Sequence, residues 1–270
     1  MPELPEVETV RRGLWPLLQG RRVERVSVRQ SRLRWPVDEA ALAAVAAGAA
    51  CLGLTRRGKY LLWQLSSGWV ICHLGMTGCL RVVSRDEAWE KHAHLAFLLD
   101  NQEELRFSDT RRFGAVIAVK GNPLEHPLLA ALGPEPWDPL LTPSRLAQGS
   151  RGRRVPVHAF LQDAKVVAGV GNIYASEILF RVGLSPVREV GEIAEWDALL
   201  TALRRVLEEA VAQGGSTVRD FRSSDGRPGY FQQYLNVYGR EGLPCPTCQT
   251  PVQRVAVRGR SAFWCPRCQG

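Results

Sequence analysis

The chain has 270 residues, 45% of them hydrophobic and 23% charged, with a formal net charge of +8. That length and balance support a sizeable buried core and two domains, and they exclude wholesale disorder. No run approaches the roughly 18 apolar residues of a membrane span. The start, MPELPEVETV, sets Glu3, Glu6 and Glu8 where a secretory leader carries a basic and then an apolar stretch. An intracellular, cytoplasmic protein is therefore expected, in which the seven cysteines form no disulfide framework. The basic excess is local. Residues 219–270 hold eight arginines against Asp220, Asp225 and Glu241, which makes +5 of the +8. A polyanionic partner fits that distribution, and so does a solvated face.

Along the chain, Pro5 and an acidic first turn precede Val7, Val10 and Leu14 at helical spacing, which predicts a short helix that Pro16 ends. From about residue 22 to 120 the pattern changes to short apolar runs: Val23–Val28, Tyr60–Leu65, Trp69–Leu74, Leu80–Val83, Leu95–Leu99 and Ala115–Val119. Gly, Ser, Asn and Asp separate them, as in an antiparallel sandwich or barrel. Ala40–Ala50 is a helical interruption packed on a sheet. The segment LGPEPWDPLL, residues 132–141, has three prolines and no periodicity, and reads as a linker. Helical spacing follows at Val155–Lys165, at Ile173–Arg181, and from Trp196 to Val211, where Gly214 and Gly215 close the last helix. The final thirty residues return to short β segments around cysteines. The expected fold is α+β: a β-sandwich with flanking helices over 1–131, a linker over 132–141, a helical domain over 142–235 and a small cysteine-bearing hairpin over 236–270.

Four features carry chemistry. Cys245-Pro-Thr-Cys248, sixteen residues, then Cys265-Pro-Arg-Cys268 offer four thiolates to one tetrahedral zinc ion in a closed, structural site. Cys51, Cys72 and Cys79 lie in apolar strand contexts and read as buried filler. The turn Val167-Ala-Gly-Val-Gly-Asn172 joins two helices. Its glycines would leave backbone amides bare for a phosphate and Asn172 would cap the following helix, although a plain helix connection has the same residues. At the N-terminus, loss of Met1 would leave Pro2 as a secondary amine, with an α-amino pKa of about 7.7–8.0 against about 10.4 for lysine. Attack on a sugar aldehyde carbon gives a cationic iminium, with Glu3 and Glu6 at hand to move and orient protons. A capped acidic helix start would look the same. Lastly, Met76 in HLGMTG, and Arg111 and Phe113 in DTRRFG, are side chains able to wedge into a base stack, or simply to pack half-buried.

Taken together, PELPEVE, RRGKYL, HLGMTG, RRFG, GVGNIYASE, GGST…DGRPGYF, VYGREG and the cysteine pairs make the chain resemble the formamidopyrimidine-DNA glycosylases over nearly its whole length. The resemblance implies a C-terminal domain with a helix-two-turns-helix motif and a β-hairpin zinc finger, one structural zinc, and double-stranded DNA bearing oxidised purines as partner. It implies a monomer beside the bacterial nucleoid, with no nucleotide cofactor and no membrane. On individual positions, Pro2 would form the Schiff base with C1′, Glu3 would protonate the opening deoxyribose and Glu6 would support it. Lys59 would donate a proton in β-elimination, and Arg260 would grip the phosphate for δ-elimination. Met76, Arg111 and Phe113 would fill the gap left by a flipped base, with Arg111 reading the opposite cytosine. His92, Arg153, Asn172 and Tyr238 would contact the DNA, and the loop Ser216–Tyr230 would close over the extruded base.

The chain departs from that pattern at His158, where many relatives carry Lys, so a cation there would be weaker. Asp109-Thr110 stands where relatives often have Asp-Pro. Two other readings fit parts of the sequence. One is the branch of the superfamily that removes oxidised pyrimidines, as endonuclease VIII does; it typically begins PEGPE and lacks the RRF wedge. The other is a non-catalytic DNA binder that would not need Pro2.

Overall fold

The computed structural model describes residues 1–215 and 234–270. The chain divides into two compact units, Met1–Ala130 with Gln213–Tyr230, and Ala131–Ala212 with Phe231–Gly270.

In the first unit, helix α1 (Leu4–Leu18) is followed by β1 (Val23–Val28), α2 (Glu39–Ala46), β2 (Cys51–Arg57), β3 (Tyr60–Leu65), β4 (Gly68–His73), β5 (Gly78–Ser84), β6 (Ala93–Leu99), β7 (Glu103–Asp109), β8 (Ala115–Val119) and the single turn α3 (Pro127–Ala130). The strands form two four-stranded sheets, β1-β6-β7-β5 and β2-β3-β4-β8, antiparallel throughout. Their inner faces share one core, in which Trp63 of one sheet meets Phe97 of the other edge-on at 5.1 Å. This is the expected sandwich. Alternate residues of β3 point inward, so Leu61, Trp63 and Leu65 belong to the shared core while Leu62, though buried, and Gln64 do not. Helix α1 adds Val7, Val10, Leu14 and Leu18 to the same core, each at most 1% exposed. Burying a side chain of this size is worth about 1.5–3 kcal/mol, which explains why α1 runs on past Pro16 to Leu18. The ring removes one backbone donor within the last turn, Gln19 N still reaches Trp15 O at 2.9 Å, and Leu18 keeps its buried place.

The second unit holds α4 (Pro143–Ser150), α5 (Val157–Leu161), α6 (Asn172–Val182), α7 (Trp196–Ala212) and the hairpin β9 (Gln253–Val257) with β10 (Arg260–Trp264). Leu199, Leu203, Val206, Leu207 and Ala210 make the buried stripe of α7, which packs on α6 and α4. The helix expected over Val155–Lys165 covers only α5. Asp163 takes over the chain there: its carbonyl accepts from Val166 N (2.8 Å) and Val167 N (3.2 Å), and its side chain from Lys165 N (3.0 Å). The ten residues 162–171 are thus turns, and α5 and α6 form the helix-two-turns-helix motif. The proline-rich stretch 132–141 is fastened to this unit. Gly133 N donates to Ala164 O (2.8 Å), Ala168 N to Pro134 O (2.9 Å), Arg204 to the carbonyls of Pro136 and Leu141, and Trp137 Nε1 to Glu208 (2.7 Å). Among the described residues no helix is long and apolar enough to cross a membrane.

Candidate functional site

The N-terminus of α1 buries two carboxylates beside Pro2. Glu3 and Glu6 are 2% and 1% exposed, and Glu6 Oε2 accepts from Glu3 N at 2.8 Å, closing a capping box. Pro2 is itself buried, whereas Met1 is not. Gly215 belongs to the same unit and lies against this turn, where a Cβ would stand 2.9 Å from Glu6 Oε1. One turn further, Glu8 binds Arg11, Arg12 and Arg56. Burial works against its ionisation, but the three guanidinium groups outweigh it and hold the carboxyl below its ordinary range. With Arg11 also reaching Leu54 O (3.4 Å), these contacts dock α1 on β2. Strand β2 turns into β3 at Gly58-Lys59, which sets Lys59 half-buried at the hairpin tip. Burial, then Lys59 and Arg34, push His73 down to about 4, so its ring is neutral at pH 7 and its Nδ1 accepts from Gly75 N at 3.0 Å.

The loops after β4 and β7 present Met76 (36% exposed) and Phe113 (44% exposed), with the Arg111 guanidinium 4.7 Å over the Phe113 ring. His92 lies half-buried just before β6, in the same unit. In the second unit, Arg153 and Arg260 are exposed, and Arg260 Nη1 donates to Gln162 Oε1 at 2.5 Å. Tyr238 packs on Phe263 at 5.0 Å.

The sulfurs of Cys245, Cys248, Cys265 and Cys268 all lie within 4.8 Å of one another, with Cys245–Cys268 at 3.9 Å and Cys248–Cys265 at 3.4 Å. A tetrahedron of bonds of about 2.3 Å separates its corners by about 3.8 Å, so the four thiols fit one zinc ion. Each knuckle is closed by a backbone bond, Gln249 N to Cys245 O and Gln269 N to Cys265 O, both 3.0 Å. The hairpin turns on Arg258 (φ 47°) and Gly259 (φ 78°), the two positive angles of a type I′ turn.

Three family models match in succession: the formamidopyrimidine-DNA glycosylase N-terminal domain over residues 1–116, that enzyme's H2TH domain over 132–222, and a zinc finger found in FPG and IleRS over 242–270. A formamidopyrimidine-DNA glycosylase of Alkalilimnicola ehrlichii is 50% identical, and one of Magnetococcus marinus 48%, each alignment covering 100% of this chain and at least 99% of the relative. The crystal structure of the MutM (FPG) protein from Thermus thermophilus superposes with a TM-score of 0.89 at 44% identity, covering 100% of this chain and 99% of that one. The Lactococcus lactis Fpg in complex with DNA containing an abasic site superposes at 0.90 with 32% identity, covering 99% of both chains. This chain belongs to the formamidopyrimidine-DNA glycosylase family.

The glycosylase is a DNA-repair enzyme that acts on damaged DNA, of a family that also has lyase activity at abasic sites, and its zinc finger has the ligands for one structural zinc. Two expectations about its second unit need correction. The turn expected to expose amides is buried from Val167 to Gly171; Val167 N is spent on Asp163 and Ala168 N on Pro134. Gly171, not Asn172, caps α6, because Asn172 already has helical geometry and sends Nδ2 to Ser261 O on β10 at 2.8 Å. Asn172 therefore ties the motif to the zinc hairpin. His158 is fully buried, and burial, then Arg260, lowers it to about 4, so this glycosylase has no cation at that position at pH 7. Its Nδ1 accepts from Gln162 Nε2 (3.0 Å), the residue that holds Arg260. The loop Ser216–Tyr230 lies outside the described residues. The sequence alone gives no role to three buried carboxylates, Glu104, Asp109 and Glu177. For Glu177 the available signal is a lone acidic residue in the mostly apolar helix α6, whereas Glu104 and Asp109 lie on a strand, EELRFSD, that already carries charge.

Proposed function

We propose that the glycosylase flips 8-oxoguanine and formamidopyrimidines out of double-stranded DNA, excises them through a Schiff base on Pro2, and cleaves the strand by β- and δ-elimination. The observation that carries this is the pair of nearly inaccessible carboxylates, Glu3 and Glu6, packed at the same turn as Pro2. A capping box engages both side chains, but it does not require either acid to be sealed from water against a buried proline. Once Met1 is removed, the Pro2 nitrogen attacks C1′, the bond from C1′ to the base breaks, and the base leaves with a proton. Glu3 protonates the ring oxygen as the sugar opens, which leaves a C1′=N⁺ iminium. Water takes a C2′ proton while the C–H electron pair flows into the iminium, and the resulting enamine expels the 3′ phosphate with Lys59 as proton donor. Loss of the C4′ proton to water then expels the 5′ phosphate gripped by Arg260, again with the iminium as electron sink. Water then frees Pro2. Extrusion costs a few kcal/mol, which Met76, Arg111 and Phe113 offset by filling the vacated stack, Arg111 against the opposite cytosine. His92, Arg153, Asn172 and Tyr238 hold the backbone, and zinc keeps the hairpin folded. The enzyme works as a monomer in the cytoplasm, on the chromosome.

Borohydride reduction during turnover of a duplex with 8-oxoguanine opposite cytosine tests this. The expected result is a covalent adduct on an N-terminal peptide that begins at Pro2. An adduct on Lys59 instead, or none from fully processed protein, overturns the scheme. Preferential trapping on oxidised pyrimidines would move the enzyme to the neighbouring branch.

A further inference from the structure

Asp109 ends β7, is 0% exposed, and is reached by donors from two separate loops. From the loop after β4, Thr77 Oγ1 donates to its Oδ1. From the loop after β7, Arg111 N donates to the same Oδ1 (3.2 Å) and to Thr77 Oγ1 (3.0 Å), while Gly114 N donates to Oδ2 at 2.7 Å. The Asp109 carbonyl accepts from His94 Nε2 (2.7 Å) and Arg112 N (3.3 Å), and its amide donates to His92 O (2.9 Å). The two loops also touch directly. A Cβ at Gly75 would stand 2.5 Å from Gly114 N, and one at Gly114 would stand 2.6 Å from Phe107 Cζ. Thr77 follows Met76, and Gly114 follows Phe113, so the clamp grips the backbone next to every side chain assigned to the vacated stack. Sealed from solvent, the carboxylate cannot touch DNA and acts only through these neighbours.

We propose that Asp109 is a positioning residue that, through Thr77, locks the Met76 loop and the Arg111–Phe113 loop into one rigid wedge, so that the three side chains enter the duplex together. This rests on the insertion role given above to Met76, Arg111 and Phe113. A carboxylate suits the task because all three groups facing it are donors, and an amide would turn an N–H against one of them.

The test is a double-mutant cycle on single-turnover release of 8-oxoguanine. Met76→Ala and Arg111→Ala are combined in the wild-type background and again with Thr77→Val, Thr77→Ser or Asp109→Asn. In the wild-type background the two alanine losses are strongly non-multiplicative, because a wedge missing either side chain is already ineffective. Thr77→Val and Asp109→Asn each slow base release about tenfold and make the two losses multiplicative, whereas Thr77→Ser, which keeps the hydroxyl, restores both rate and coupling. Cleavage at a preformed abasic site, with no base to extrude, stays within about twofold. Coupling that survives Thr77→Val overturns the proposal, as does an equal loss at the abasic site, which would make Asp109 a determinant of the fold only. If Met76→Ala and Arg111→Ala themselves leave base release unchanged, it is the insertion reading that falls.

Discussion

Glu177 holds Asn236 twice: its Oε2 accepts from both the backbone amide (2.9 Å) and the side-chain Nδ2 (3.0 Å). The other oxygen accepts from Val237 N (3.0 Å) and Tyr238 N (2.9 Å). One buried carboxylate of α6 thus fixes the three residues that lead into the zinc hairpin. Four donors face it, so the Glu177→Gln change leaves an N–H opposed to N–H in a buried site. The expected cost is about 3 kcal/mol, since hydrogen bonds to charged groups are worth about 1.5–3 kcal/mol each. Denaturant unfolding should show that loss, with faster zinc release from the variant.

The hairpin core consists of little more than Val237, Val252, Cys245 and Cys265, with Phe180 and Phe263 against them. So few apolar groups cannot fold a segment of this size without a metal. Chelation of zinc, or Cys245→Ser or Cys268→Ser, should unfold the hairpin and abolish DNA binding. Zinc content measured beside a duplex-binding titration checks this; normal affinity in zinc-free protein would contradict it.

Six of the eight sandwich strands were readable as apolar runs, but β2 and β7 were not. Their sequences, CLGLTRR and EELRFSD, carry charge at positions the fold buries or caps. On β7 the reason is an ion pair inside the structure: Arg106 Nε donates to Glu104 Oε2 at 2.8 Å, with side chains 4% and 9% exposed. Arg106 also binds the carbonyls of Ala88 and Glu87, and the Trp89 ring lies 5.2 Å from it, so it pins the loop that carries His92. Breaking a buried pair costs about 3–5 kcal/mol. Glu104→Ala should therefore destabilise the sandwich by about that amount, and a double cycle with Arg106→Met should recover part of it.

The chemistry-bearing positions were easier to see than the parts that aim them. Cysteine spacing and the PELPEVE start are local patterns, legible residue by residue. The sequence reads Asn172 as a cap because its partner, Ser261 O, is 89 residues away, and no local pattern reports such a contact. Asp109 was visible only as part of a loop motif, since its donors come from Thr77 as well as from its own loop. Pro16 reads as a helix stop because the burial of Leu18 that overrides it belongs to tertiary structure.

Pro2 reacts only as an unblocked secondary amine, so a residual methionine or an uncleaved extension ahead of it should abolish both base release and strand cleavage. Duplex affinity should stay within a few-fold, because the proposed DNA contacts lie elsewhere. Mass spectrometry of the intact protein, paired with single-turnover assays on processed and unprocessed fractions, measures this directly. Activity in a fraction that retains Met1 would remove Pro2 from the mechanism.

Burial of His73 and His158 weakens the fold on the acid side. Both rings are lowered from 6.5 to about 4, chiefly by burial, so the folded protein keeps them neutral where the unfolded chain would protonate them. The unfolded state therefore binds more protons below pH 6.5, and stability falls as pH drops from 6.5 toward 4. Each histidine contributes up to about 1.4 kcal/mol per pH unit across that window and nothing above it. Denaturant midpoints at pH 7, 6 and 5 should fall accordingly. His158→Gln, which keeps a polar partner for Gln162 but cannot titrate, should flatten the slope by roughly one proton's worth. An unchanged slope in that variant would show that the buried ring does not govern the acid response.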